Sequence, residues 1–326
     1  MKDLLNRNAY IFIALVPVVI YIMSYCLFEI NAASSLKIKT MIVEAIKEHG
    51  VSPTSTIVEY KSRILWLSSS LLSITAYLIA LTWSVLIVRR CCRRINLIKL
   101  AVVGLAVMTL TLLQIARADS ESAMYNNIFD TTYQALKVSA SITEPLLQKI
   151  FIIISTINVL AAVTPVFILI AICSSISTPI EEGVPKLEFF IKRMEYLNQG
   201  IMIGSAVLLF GIIHMEAWMQ WPISMIDEEA VLNKVAINVV VAISQYWGIS
   251  CTLLLVCLYA SAAIYWQAQT RAALIAMQSD IDVSQWLEDN GFTVSWQKHT
   301  LQLGAMLTPF LAGSFSVVGR ELLSLN

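Results

Sequence analysis

Charge is scarce in this chain: Asp, Glu, Lys and Arg make up 13% of its 326 residues, about half the share found in an average soluble domain. Its 22 basic and 22 acidic residues cancel, so no basic excess points to nucleic acid as a partner. Glycine and proline are sparse, at 11 and 8 residues, and ionisable residues are nearly absent deep within the apolar stretches. Both absences argue against the broken-helix, ion-coupled sites of secondary transporters. Pro17 and Pro165, the only prolines inside those stretches, need do no more than kink a helix.

Cysteine and histidine exclude further classes. Cys26, Cys91, Cys92, Cys173, Cys251 and Cys257 lie in or beside apolar stretches, and neither long hydrophilic loop holds one. A disulfide framework is not expected. The adjacent Cys91 and Cys92 lack the second pair and the histidines of a zinc site; they read as inert thiols, or as acylation sites in a eukaryotic host. Of His49, His214 and His299, only His214 falls in an apolar stretch, which leaves haem without a second ligand on another span. There is no G-x-S-x-G elbow, H-E-x-x-H pair, phosphate-cradling glycine loop or deep carboxylate dyad. No catalytic residue, cofactor or metal is expected.

What the chain has in quantity is apolar sequence: 58% hydrophobic residues and a mean hydropathy of +0.74. It falls in blocks at 9–30, 64–88, 98–116, 150–176, 200–218 and 236–266. A helix needs about 20 such residues to cross a hydrocarbon layer of roughly 30 Å, because lipid offers the backbone no hydrogen bonds. The expected fold is therefore all-α, a polytopic bundle of about six transmembrane helices over residues 1–266, followed by a small helical tail at 267–326. The first block, behind Lys2 and Arg7, reads as an uncleaved signal anchor. The sixth is about 46 Å long and must tilt or project.

Orientation rests on Arg89, Arg90, Arg93 and Arg94 in the short link between blocks two and three. Positive-inside bias places that link in the cytoplasm, with both termini, and the bacterial inner membrane is the expected location. Loops 31–63, 117–149 and 219–235 then face outward, and thirteen basic residues lie inside against nine outside. Trp66, Trp218 and Trp221 would form an outer aromatic belt, with Trp83, Tyr265 and Trp266 inside. The first two outer loops are alike in length, each with a helical stretch, 36–49 and 123–138; this reads equally as duplication or as convergence. Inside, the amphipathic segment 177–199, with apolar residues at helical spacing from Leu187 to Leu197, is expected to run into the fifth span or lie on the membrane face. Asp282 to Gly291 outlines a capped helix. Residues 296–325 are apolar but broken by Gly304, Pro309, Gly313 and Gly319, fitting an interfacial or re-entrant pair better than a seventh span.

Three constellations are candidates for function. Ser69, Ser73 and Ala80 in the second span, with Gly204 and Gly211 in the fifth, form small-residue seams that pack helices within a protomer or between protomers. Ser155 and Asn158 on the fourth span, and Asn238, Gln245 and Thr252 on the sixth, form polar faces. They either hydrogen-bond between helices or line a hydrated path, offering dipoles that do not trap an ion. Glu216, Asp227, Glu228 and Glu229 would concentrate cations at an outer mouth, unless they serve only the sixth helix, with Ser224 as its cap. The leading expectation is a homo-oligomeric pore or channel, a regulated membrane-perturbing effector whose partners are the lipid bilayer and its own copies. The alternatives are a scaffold binding a soluble cytoplasmic protein, and an enzyme on lipid-linked substrates using Glu44, Glu48, His49 and Glu59.

Overall fold

A computed structural model describes residues 9–49, 53–91, 98–102, 104–106, 108–109, 122–177, 187–227, 230–276, 282–290, 292 and 302–311. Among these the chain is helical and contains no strand. The helices are α1 (Ala9–Glu29), α2 (Ala32–His49) and α3 (Pro53–Cys91), then a rod, α4, made of Ala123–Tyr125, a π-helical turn Asn126–Asp130 and Thr131–Val138. They continue as α5 (Glu144–Ser175), α6 (Leu187–Ile223), α7 (Val231–Ala276), the short α8 (Val283–Asp289) and α9 (302–311).

Five of these helices are long and apolar enough to cross a membrane: Phe12–Glu29, Thr56–Cys91, Glu144–Ser175, Glu188–Ile223 and Val231–Ala276. Their outward sides carry exposed Leu71, Ile79, Ile152 and Ile264, as lipid-facing sides require. The expected third crossing, 98–116, is described only as helical pieces up to residue 109, and its remainder lies outside the described residues. Cys91 ends α3 beside the last turn of α5, whereas Ser122 sits at the opposite end of the bundle against Glu29. Gly104 packs on Ile170 and Val166 of α5. The chain is an all-α membrane bundle of about six spans.

The long helices exceed any bilayer. At 1.5 Å per residue the 39 residues of α3 span about 58 Å and the 46 of α7 about 69 Å, so α7 projects further than its apolar block suggests. At one end the excess joins α2 and α4 in a folded layer. There Phe28, Ile42, Ala123, Ala135, Met219, Ile223 and Val240 share a core. Glu29, at the C-terminus of α1, accepts from Ser122 Oγ at 2.9 Å and from the Ala123 and Met124 amides at 2.7 and 3.1 Å. One carboxylate thus satisfies the orphan donors that open α4, where a helix dipole favours negative charge. Lys39 of α2 pairs with Asp130 and donates to Asn126 Oδ1, fastening α2 to the π turn.

Several expectations change. The outer tryptophans form no belt: Trp66, Trp218 and Trp221 are 0%, 1% and 0% exposed and pack on one another in tilted and edge-on pairs in the core. Ser224 does not cap the sixth helix. Its hydroxyl donates back to the Trp221 carbonyl at 2.6 Å, and α7 starts only at Val231. Of the two readings of the amphipathic inner segment, the first holds: from Leu187 it runs into the fifth span as the first turns of α6, with Phe190, Met194 and Leu197 buried. Asp282 does cap α8, accepting from the Ser284 and Gln285 amides.

Candidate functional site

The small residues of α3 and α6 face one another along an antiparallel seam. Ser73 Oγ donates to the Phe210 carbonyl at 3.0 Å. A Cβ on Gly211 would lie 3.4 Å from Tyr77 Oη, and one on Gly200 only 2.8 Å from Trp83. Ala80 is fully buried, and Gly204 faces Leu255 and Ile168. These residues hold the protomer together, which takes them out of any contact between copies.

The seam ends, near the folded layer, in a polar cluster whose members Ser69, His214 and Glu59 the sequence named separately and did not bring together. Ser69 and Ser70 Oγ both donate to the Trp66 carbonyl, at 2.8 and 2.7 Å. Their oxygens also lie 3.5 and 3.3 Å from His214 Nδ1. Nδ1 is the ring nitrogen that meets the two hydroxyls. Nε2 has no partner, and neither have the indole N–H groups of Trp66 and Trp218 beside it. Two turns beyond Trp66, buried Glu59 pairs with Arg63 at 2.7 Å and accepts from Trp221 Nε1 at 3.0 Å. The i, i+4 spacing of Glu59 and Arg63 was the readable signal.

The polar faces point elsewhere. Asn158 and Asn238 are exposed on the outside of the bundle, whereas Ser155, Gln245 and Thr252 are half-buried. Helix α5 packs mainly on α3 and α6, and α7 mainly on α6 and α1, so the two faces are not brought together across the protomer interior. Two of the four acids, Glu216 and Asp227, are among the described residues. Glu216 is 5% exposed and accepts from Gln220 Nε2 at 2.6 Å, Asp227 is exposed, and Glu228 and Glu229 lie outside the described residues. Of the enzyme candidates, Glu44 and Glu48 are exposed on α2, Glu59 is tied up with Arg63, and the His49 side chain lies outside the described set. Among the described residues no group of three His, Cys, Asp or Glu side chains converges.

At the other end Arg193 is 4% exposed. Its Nη1 donates to the Ser174 and Ser175 carbonyls at 2.8 and 3.3 Å, and its Nη2 to Cys91 at 3.0 Å. The helix-terminal carbonyls of α5 and α3 thereby stabilise a buried cation through the negative ends of two dipoles. Finally, α9 lies against the middle of α6 and α7. Ser205 Oγ donates to the Ala305 carbonyl, and Gly248 meets the backbone of Pro309 and Phe310. No protein-family model, curated protein or solved structure matches the chain.

Proposed function

We propose that the chain is a homo-oligomeric, pore- or channel-like protein of the bacterial inner membrane, a regulated membrane-perturbing effector with both termini in the cytoplasm. The observation that carries this reading is the exposure of Asn158 on the outer face of the long, otherwise apolar α5. A carboxamide turned to lipid gives up its hydrogen bonds, whereas the same group turned to another copy or to water keeps them. The Arg89–Arg90 end of α3 supplies the cytoplasmic marker. A scaffold role draws less support, because Phe190, Met194, Leu197 and Met306, apolar residues such a role would present to a partner, are buried within the fold.

The test is the purified full chain in nanodiscs and in salt-loaded liposomes. An oligomer that passes ions supports the reading, and a strict monomer that passes none removes it. Asn158→Leu and Gln245→Leu locate the path: a lining residue changes flux with assembly intact, whereas a helix-gluing residue loses about 0.6–2 kcal/mol of stability.

A further inference from the structure

The seat of α9 is built for it. Pro309 has no N–H, so the Ala305 carbonyl four residues earlier loses its intrahelical donor. Ser205 of α6 supplies the replacement. On the other side Ser244, Gly248 and Thr252 recur every four residues and share one face of α7. Gly248 lets the α9 backbone into contact: an added Cβ would lie 2.7 Å from the Pro309 oxygen and 3.2 Å from Phe310 Cα. Met306 is 2% exposed in the main core.

This seat is deep. Counting 1.5 Å per residue along α6, Ser205 lies about 18 Å from the Arg193 end and about 20 Å from Trp218, so α9 sits at the mid-depth of the bundle. Around it Ser244 Oγ, Thr252 Oγ1 and Gln302 Oε1 are buried with no hydrogen-bond partner. Polar atoms in a membrane interior are normally satisfied, and serine and threonine hydroxyls readily bond the carbonyl of the preceding turn, as Thr75 and Ser261 do here. On the Ser244–Gly248–Thr252 face they do not.

We propose that α9 is a membrane-embedded plug seated between α6 and α7. It covers a polar track, formed by Ser205, Ser244 and Thr252, that would carry small hydrated ions once α9 withdraws. The proposal rests on the pore reading and locates its closed state.

The test uses the full chain in liposomes. A Ser205→Cys/Ala305→Cys pair reports occupancy of the seat, with the disulfide identified by peptide mass spectrometry. Gly248→Leu ejects α9 by bulk, and Ser205→Ala weakens its hold with no added bulk, guarding against a leucine variant that fails to fold. The expected result is a disulfide in the parent protein, lost in Gly248→Leu. Ion efflux should rise at least tenfold in Gly248→Leu and more modestly in Ser205→Ala, and fall when the cysteine pair is oxidised. Absence of the disulfide overturns the seat. Equal efflux from parent and variants overturns the plug and leaves the pore standing, and no efflux from any of them removes both.

Discussion

Arg193 Nη2 lies 3.0 Å from the carbonyl oxygen of Cys91, so a residue near the start of α6 closes the C-terminus of α3. Three carbonyls, from two helix ends, accept from this buried guanidinium. Arg193→Leu should strand those carbonyls and lower stability by about 3 kcal/mol. Arg193→Lys should recover only part, since an ammonium cannot reproduce the planar fork. Unfolding in mixed micelles measures both, and a neutral leucine variant would contradict the clamp.

The Glu29 carboxylate plays the corresponding part in the opposite layer, where it caps α4 from another helix. Glu29→Ala should cost about 1–2 kcal/mol and loosen α4 first. Amide exchange should quicken at Ala123 and Met124 before it quickens in α3, and uniform protection would contradict the assignment.

Two glycines of α6 should respond oppositely to alanine. At Gly204 a Cβ would meet Leu255 and Ile168 at 3.5 and 3.7 Å, ordinary contact, so Gly204→Ala should stabilise by about 0.5–1 kcal/mol through helix propensity. At Gly200 it would lie 2.7 Å from Ile172 and 2.8 Å from Trp83. Gly200→Ala should therefore destabilise by about 1–3 kcal/mol. Equal effects at the two sites would sink the seam as drawn.

The crossings were legible because length and hydropathy alone determine them, and Asp282 was legible because a capping carboxylate precedes the amides it serves. The tryptophans misled because an aromatic near the end of a span looks the same whether it faces headgroups or stacks inside a folded layer. Arg193 gave no signal, since the carbonyls it closes are groups that every residue carries. Pro309 was read as a break in the tail; that it frees a carbonyl for Ser205 depends on a residue about a hundred positions away. Asn158 and Thr252 were both identified as polar, but burial separates an outward face from the covered seat of α9.

Orientation has a direct check. Lys137 and Arg90 are both exposed and lie at opposite ends of the bundle. In intact cells Lys137→Cys should react with an impermeant maleimide and Arg90→Cys only after lysis; the reverse pattern would invert the proposed topology.

The polar cluster on the seam offers a sharper separation, between groups kept for stability and groups kept for another reason. Glu59 is the acceptor for both Arg63 and Trp221. Glu59→Leu leaves a half-buried cation and a buried indole N–H without it, and should cost about 3–5 kcal/mol. His214 contributes little by comparison. Ser69 and Ser70 keep their bonds to the Trp66 carbonyl without it, and removing the ring also removes the partnerless Nε2. His214→Leu should therefore alter stability by no more than about 1 kcal/mol, since deleting an unsatisfied buried polar atom offsets the lost contacts. A buried imidazole whose Nε2 has no partner and that stability does not need is the group in this cluster kept for another reason. Under the pore reading, His214→Leu should change ion flux while leaving assembly intact. A large loss of stability on that substitution would return His214 to the structural core and take it out of the mechanism.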